Sequence, residues 1–167
     1  TDNSEVIQTK VDAGIMIYGN NNAVGLSNIP NVICGNRVGV ELRGSNNTVQ
    51  ACYLGTNFNQ TAGLGNTERN LIIAGGARDN LIGGGNAALG NLIMGAGLDG
   101  VWITDAGTSG NKLQRNTIGG PGALRNGGNG VYITNANGNE IGAEGAGNLI
   151  SGNGNDGVKL EGSSASK

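Results

Sequence analysis

The stretch GVWITDAGTSGNKLQRNTIGGPGALRNGGNGVYI, from Gly100 to Ile133, decides the fold. It opens and closes on one tetrad: a glycine followed by a hydrophobic, a variable and a second hydrophobic residue. Between the two copies lie shorter runs, NKL from Asn111 and NTI from Asn116. Alternation of apolar and variable positions is the period of a strand, and the intervening Gly and Asn residues supply corners. One such stretch is three short strands bent around three turns.

Working outward, the tetrad recurs as GIMI from Gly14, GVEL from Gly39 and GVKL from Gly157, with a degenerate copy, NLII, from Asn70. Six copies then stand roughly thirty residues apart, the signature of a repeat architecture. The second strand of each period recurs at Asn47, Asn80, Asn111 and Asn139, and the third at Asn31, Asn91, Asn116 and Asn148. A strand this short cannot pair inside its own coil, so it pairs in parallel with its counterpart one coil on. Parallel crossovers are right-handed. The predicted fold is therefore all-β: a right-handed parallel β-helix of about five to six coils, a single domain over residues 1–167, and about 26 Å long at one strand spacing per coil.

Alternation points the two apolar tetrad positions inward: Ile15 and Ile17, Val40 and Leu42, Leu71 and Ile73, Val101 and Ile103, Val131 and Ile133, Val158 and Leu160. Val24, Ile33, Val49, Leu54, Ile82, Ile93, Leu113, Ile118, Ile141 and Ile150 complete the core from the other two strands. The repeating Asn residues read as ladders, each side-chain amide bonded to its neighbour a coil away. The run GGGN at Gly83–Asn86 has neither the lysine nor the helix of a phosphate loop.

Composition excludes several classes of function. Gly fills 34 of 167 positions without the triplet period of collagen, while 37% hydrophobic residues in regular runs argue against disorder. A net charge of -2 with no basic run offers nothing to a phosphate backbone, so no nucleic acid is expected. No run is apolar enough for membrane insertion. With no His and two Cys, the commonest general base is absent and a four-thiolate zinc site is impossible, so no metal site is expected. Aligning Ile33 with Leu54 puts Cys52 in an Asn column and Cys34 three positions further along, about 11 Å away by strand geometry. A disulfide needs less than about 7 Å, so both thiols are expected free.

NLISGNGNDGVKLEG at Asn148–Gly162, GNKLQRNTIGG at Gly110–Gly120 and NGVYI at Asn129–Ile133 resemble the β-helix repeats of large bacterial cell-surface and secreted proteins, related in fold to pectate lyases. The resemblance covers nearly the whole chain from Gly14. It implies an extracellular or cell-surface setting in a bacterium, in adhesin-like proteins or beside carbohydrate-active modules. A pectate lyase-like catalyst would bring a calcium-binding carboxylate cluster with an Arg or Lys base; the sequence holds no compact set of that kind, and no cofactor is expected.

The outward middle positions of the tetrads stack Met16, Glu41, Ile72, Trp102, Tyr132 and Lys159, placing the single Trp beside a Tyr. Asp99 and Asp156 stand just before tetrads, while Arg43, Thr104 and Thr134 stand just after them. Aromatics flanked by carboxylates and hydroxyls suit sugar rings, so Trp102, Tyr132, Asp99, Thr104, Thr134 and Lys159 are the candidate ligand-binding residues. Asp99, Asp156 and Glu41 are the candidate catalytic acids. The long loops Gly55–Arg69 and Gly119–Asn129 are expected to flank coil three and leave Asp99 and Trp102 between them in a cleft. Equally, adjacent aromatics on a solenoid face stabilise stacked strands without any ligand.

These readings give three expectations of function. The first is a non-enzymatic structural or adhesive module whose exposed face contacts a polysaccharide or another protein. The second is a polysaccharide lyase or glycoside hydrolase. The third is a subunit that self-associates head to tail through its coil ends, or a piece of a larger solenoid, because terminal coils present unpaired strands unless TDNSEVIQTK or EGSSASK folds over them. Ice binding would need a regular Thr array that Thr104 and Thr134 alone do not make.

Overall fold

Ala13–Ile17, Val38–Leu42, Arg69–Ile73, Val101–Thr104, Val131–Thr134 and Val158–Glu161 hydrogen-bond side by side, all parallel, into a first sheet of six strands. In the computed structural model, which describes residues 12–25, 30–61 and 64–162, two further parallel sheets of five strands complete a right-handed β-helix. The second sheet runs from Ala23–Val24 to Glu140–Ile141, the third from Asn31–Ile33 to Leu149–Ile150. Five coils and one further strand are thus stacked. TDNSEVIQTK and the last five residues, invoked above as covers for the ends, lie outside the described residues.

The register follows the tetrads. Ile15 pairs with Val40, Val40 with Leu71, Leu71 with Val101, Val101 with Val131 and Val131 with Val158. Between coils the inward residues meet like with like, so each apolar column closes over itself. Leu42, Leu71, Ile73, Ile103, Ile82, Leu113, Leu54 and Ile118 are fully buried in one cluster. Burial of each side chain of this size contributes about 1.5–3 kcal/mol, which explains how a chain this rich in Gly holds an ordered form.

Two inward positions depart from expectation. Val158 is 41% and Leu160 70% exposed, because among the described residues no coil lies beyond their strand. Some outward positions depart in the opposite sense. Glu41 and Ile72 sit in the outward column yet are buried, as are Val38 and Ala74, which join Ile72 in a small apolar cluster outside the first sheet, with Trp102 packed on it.

The Asn ladders are present, the third sheet's being interrupted by Cys52. In the second sheet's ladder, Asn80 donates its side-chain amide to Asn111 Oδ1 at 2.8 Å, and Asn111 to Asn139 Oδ1 at 2.8 Å. In the third sheet's, Asn91 donates to Asn116 at 2.8 Å and Asn116 to Asn148 at 3.0 Å. Each residue also gives its backbone N–H to the same oxygen, as Asn80 does to Asn111 at 3.0 Å and Asn116 to Asn148 at 2.9 Å. Apart from Asn47 Nδ2, which is buried without a partner, these buried amides are paired, which is the condition for placing polar groups inside.

A further ladder, not anticipated, runs through the corner before the first sheet: Asn36, Asn66, Asn126 and Asn153. Coil three has Ala96 in this column. Asn70, which stands where other tetrads have Gly, fills the vacancy: Asn66 donates to its Oδ1 at 2.7 Å, and Asn70 donates to Met94 O at 2.9 Å and to Asn126 Oδ1 at 3.3 Å. The tetrad Gly elsewhere is required for the same reason, since a Cβ on Gly100 would lie 2.7 Å from the Asn126 amide nitrogen. NLII is therefore a compensated copy of the tetrad.

Candidate functional site

On the outside of the first sheet the expected column is in register: Met16 beside Glu41, Glu41 beside Ile72, Ile72 beside Trp102, Trp102 beside Tyr132, and Tyr132 beside Lys159. Thr104 pairs with Thr134, and Thr134 with Glu161. The strands thus bring the candidate residues to one face. Their side chains are largely committed to one another.

Asp99 is buried and bonded at both carboxylate oxygens. Its Oδ1 accepts from the Asn129 backbone N–H at 2.9 Å and side-chain amide at 2.8 Å, and its Oδ2 meets Arg69 Nε at 3.1 Å. Glu41, also buried, bonds Arg43 Nε at 2.6 Å, and this pairing raises the Arg43 pKa. Asp156 is exposed; Asn129, whose Oδ1 accepts from the Asp156 N–H at 3.2 Å, stands between it and Asp99. A buried carboxylate clamped by a guanidinium is costly to desolvate and more costly to unpair, which makes these two pairs parts of the scaffold.

The aromatics are capped by cations. The Arg69 guanidinium lies 4.2 Å from the Trp102 ring centroid, and Lys159 Nζ lies 5.2 Å from that of Tyr132. Trp102 is half-buried, and its indole nitrogen is buried without a hydrogen-bond partner. The Tyr132 hydroxyl donates to Glu161 Oε2 at 2.5 Å, and Lys159 Nζ lies 3.3 Å from the same oxygen. The Tyr132 hydroxyl and Lys159 hold the Glu161 carboxyl below its usual range, while Glu161 raises the pKa of both partners. Glu161 and Arg69 were legible as members of these columns, two residues from Lys159 and two before Leu71.

No family model, curated protein or solved structure matches this chain. What the molecule offers is therefore read from its own faces. Among the described residues no three Cys, Asp or Glu side chains converge as metal ligands, and no helix is long and apolar enough to cross a membrane.

The first long loop departs from expectation. It turns toward the third sheet, where Phe58 lies 6.0 Å from Tyr53 at an interplanar angle of 43°. The second long loop stays in the stack, with Leu124 O accepting from Gly95 N at 2.9 Å and Gly127 N donating to Ala96 O at 2.7 Å. The concavity that results lies outside the third sheet, an open recess of about 390 Å³ touched by Tyr53, Gln60 and Leu92. Tyr53 was not singled out from sequence, although the alignment of Ile33 with Leu54 already placed it at an outward position.

Proposed function

We propose that this chain is a non-catalytic β-helix module of an extracellular or cell-surface protein, a rigid structural or adhesive solenoid whose outer surface contacts glycan. One observation carries this reading: of the three candidate acids, Asp99 and Glu41 are buried in bonds to Arg69, Asn129 and Arg43, which leaves the exposed Asp156 without a second carboxylate to work with. A general acid or base must exchange protons with a substrate within hydrogen-bond reach, and a carboxylate clamped in this way has no such freedom. The resemblance of the repeats to those of bacterial surface proteins supports the setting.

The test is depolymerisation of acidic polysaccharides, with and without calcium, by wild type and Asp99→Asn. The expected result is no turnover by either, with a lowered melting temperature for the variant. Turnover that disappears in a folded Asp99→Asn protein would replace this reading with a lyase or hydrolase.

Exposure of the inward-facing Val158 and Leu160 at one end of the stack favours a second reading, association through coil ends. Blunt stacking meets a step, because the first sheet has six strands and the others five. Sedimentation velocity across a range of concentrations checks this, and a single monomeric species throughout would exclude it.

A further inference from the structure

The outer column of the third sheet runs Val32, Tyr53, Leu92, Thr117, Leu149. Over its middle, the recess is lined by Pro30, Ala51, Tyr53, Gln60, Ala88 and Leu92, among others, and its volume falls in the range of small-ligand sites. Both walls are held in place. On one side Asn86 accepts from Ala88 N at 3.0 Å, and Ala51 N donates to Leu89 O at 3.0 Å. On the other, Asn57 accepts from Thr61 N at 2.8 Å and donates to the Thr61 hydroxyl at 2.9 Å. Within that loop Gln60 adopts a left-handed φ of 55°, a conformation that costs energy for a residue with a side chain. Phe58, 59% exposed, lies against the lining residue Tyr53 instead of being buried.

The chemistry of the lining selects a ligand. Among the described residues no Asp, Glu, Lys or Arg lines the recess, whereas the first face is crowded with ion pairs. A charged sugar would find no counter-ion there and would lose hydration without return. A wholly apolar occupant would make no use of the one amide side chain in the named lining, that of Gln60. A pyranose satisfies both demands, its C–H face lying on an aromatic ring and its hydroxyls bonding to polar neighbours.

We propose that this recess holds one uncharged sugar unit of a glycan, stacked on Tyr53 beneath Phe58 and hydrogen-bonded by Gln60. The proposal rests on the glycan-contacting reading above and names its site and its class of sugar. It moves the contact from the Trp102 face to the opposite side of the corner that joins the third sheet to the first.

The experiment titrates the whole chain with neutral oligosaccharides built from glucose, xylose or mannose, and with oligogalacturonate, followed by amide chemical shifts. The expected result is saturable shifts at Tyr53, Gln60 and Leu92 with at least one neutral series and none there with oligogalacturonate. Phe58→Ala, at an exposed position, should weaken that binding about tenfold, the loss expected for one aromatic contact. Gln60→Ala should weaken it by a similar factor. Binding that maps to Trp102 and Tyr132 and ignores Phe58→Ala would overturn the recess and leave the glycan reading standing. Shifts at the recess with oligogalacturonate alone would overturn the neutral class. The absence of any response to any saccharide would sink both proposals. Concentration-dependent broadening at the recess without sugar, abolished by Phe58→Ala, would assign the surface to a second copy of the chain and overturn the site.

Discussion

Cys52 stands in the third sheet's ladder where other coils have Asn, and it takes over part of the amide's work. Its backbone N–H donates to Asn91 Oδ1 at 3.0 Å, as a ladder Asn does, and its Sγ lies 3.1 Å from Gln50 O and 3.7 Å from Val24 O. The second of these is the carbonyl corresponding to Val49 O, which Asn91 engages at 2.8 Å. A thiol is the weaker donor, so Cys52→Asn should restore the bond and raise stability by about 1 kcal/mol, read as a higher denaturant midpoint. Burial pushes the Cys52 thiol up to about 11 from 9.0. A raised thiol pKa means that the unfolded chain loses its proton first. The contribution to stability is therefore complete below about pH 9 and lost as pH climbs through about 11, a loss that Cys52→Asn should remove. Cys34, half-buried and also raised by burial, should alkylate before Cys52 in the native protein. The position of Cys52 was legible because Ile33 and Leu54 fix the alignment. The fate of Asp99 was not, since a carboxylate spells the same whether exposed or clamped, and its Arg69 partner lies a full coil away.

In the strand that begins at Arg69, Asn70 and Ala96 form a matched pair, and their coupling is measurable. Ala96→Asn alone sets two amides in one place, and Asn70→Gly alone leaves the Asn66 amide with Ile33 O as its remaining acceptor and Met94 O and Asn126 Oδ1 each with one donor fewer. Together the two changes rebuild the pattern of the other coils, Gly in the tetrad and Asn in the corner. Each single variant should lose about 1–3 kcal/mol, and the double should recover most of it, giving a coupling energy well above the few tenths expected of independent sites. Additive losses would show that Asn70 does not substitute for residue 96. The strands and their register were legible from the tetrads, because a one-residue slip would turn Leu71 and Ile73 outward. The corner ladder was also written in the sequence, at Asn36, Asn66, Asn126 and Asn153, but the gap at Ala96 broke its period. The course of the first long loop was not legible: it depends on the contact between Phe58 and Tyr53, which no repeat prescribes.

Across the whole molecule, a solenoid whose coils touch only their neighbours has a stability that adds up coil by coil, with the ends weakest. Leu42 is fully buried, whereas Leu160, at the end of the same column beyond Ile73, Ile103 and Ile133, is 70% exposed. Leu42→Ala should therefore cost about 2–5 kcal/mol and Leu160→Ala under about 1 kcal/mol, compared by chemical denaturation. Equal losses would mean that a further layer covers the strand at Leu160. The faces this scaffold presents differ in chemistry, ion pairs outside the first sheet and an uncharged aromatic recess outside the third, because the buried ladders leave outward residues free to vary. The ladders carry polar groups through the interior, and hydrogen exchange of Asn side-chain amides by NMR reads them out. The side-chain amide protons of Asn80, Asn91, Asn111, Asn116 and Asn126, all buried and bonded across coils, should persist long after those of exposed Asn137 and Asn155 have exchanged. Exchange of all seven at the solvent rate would contradict a ladder-filled interior.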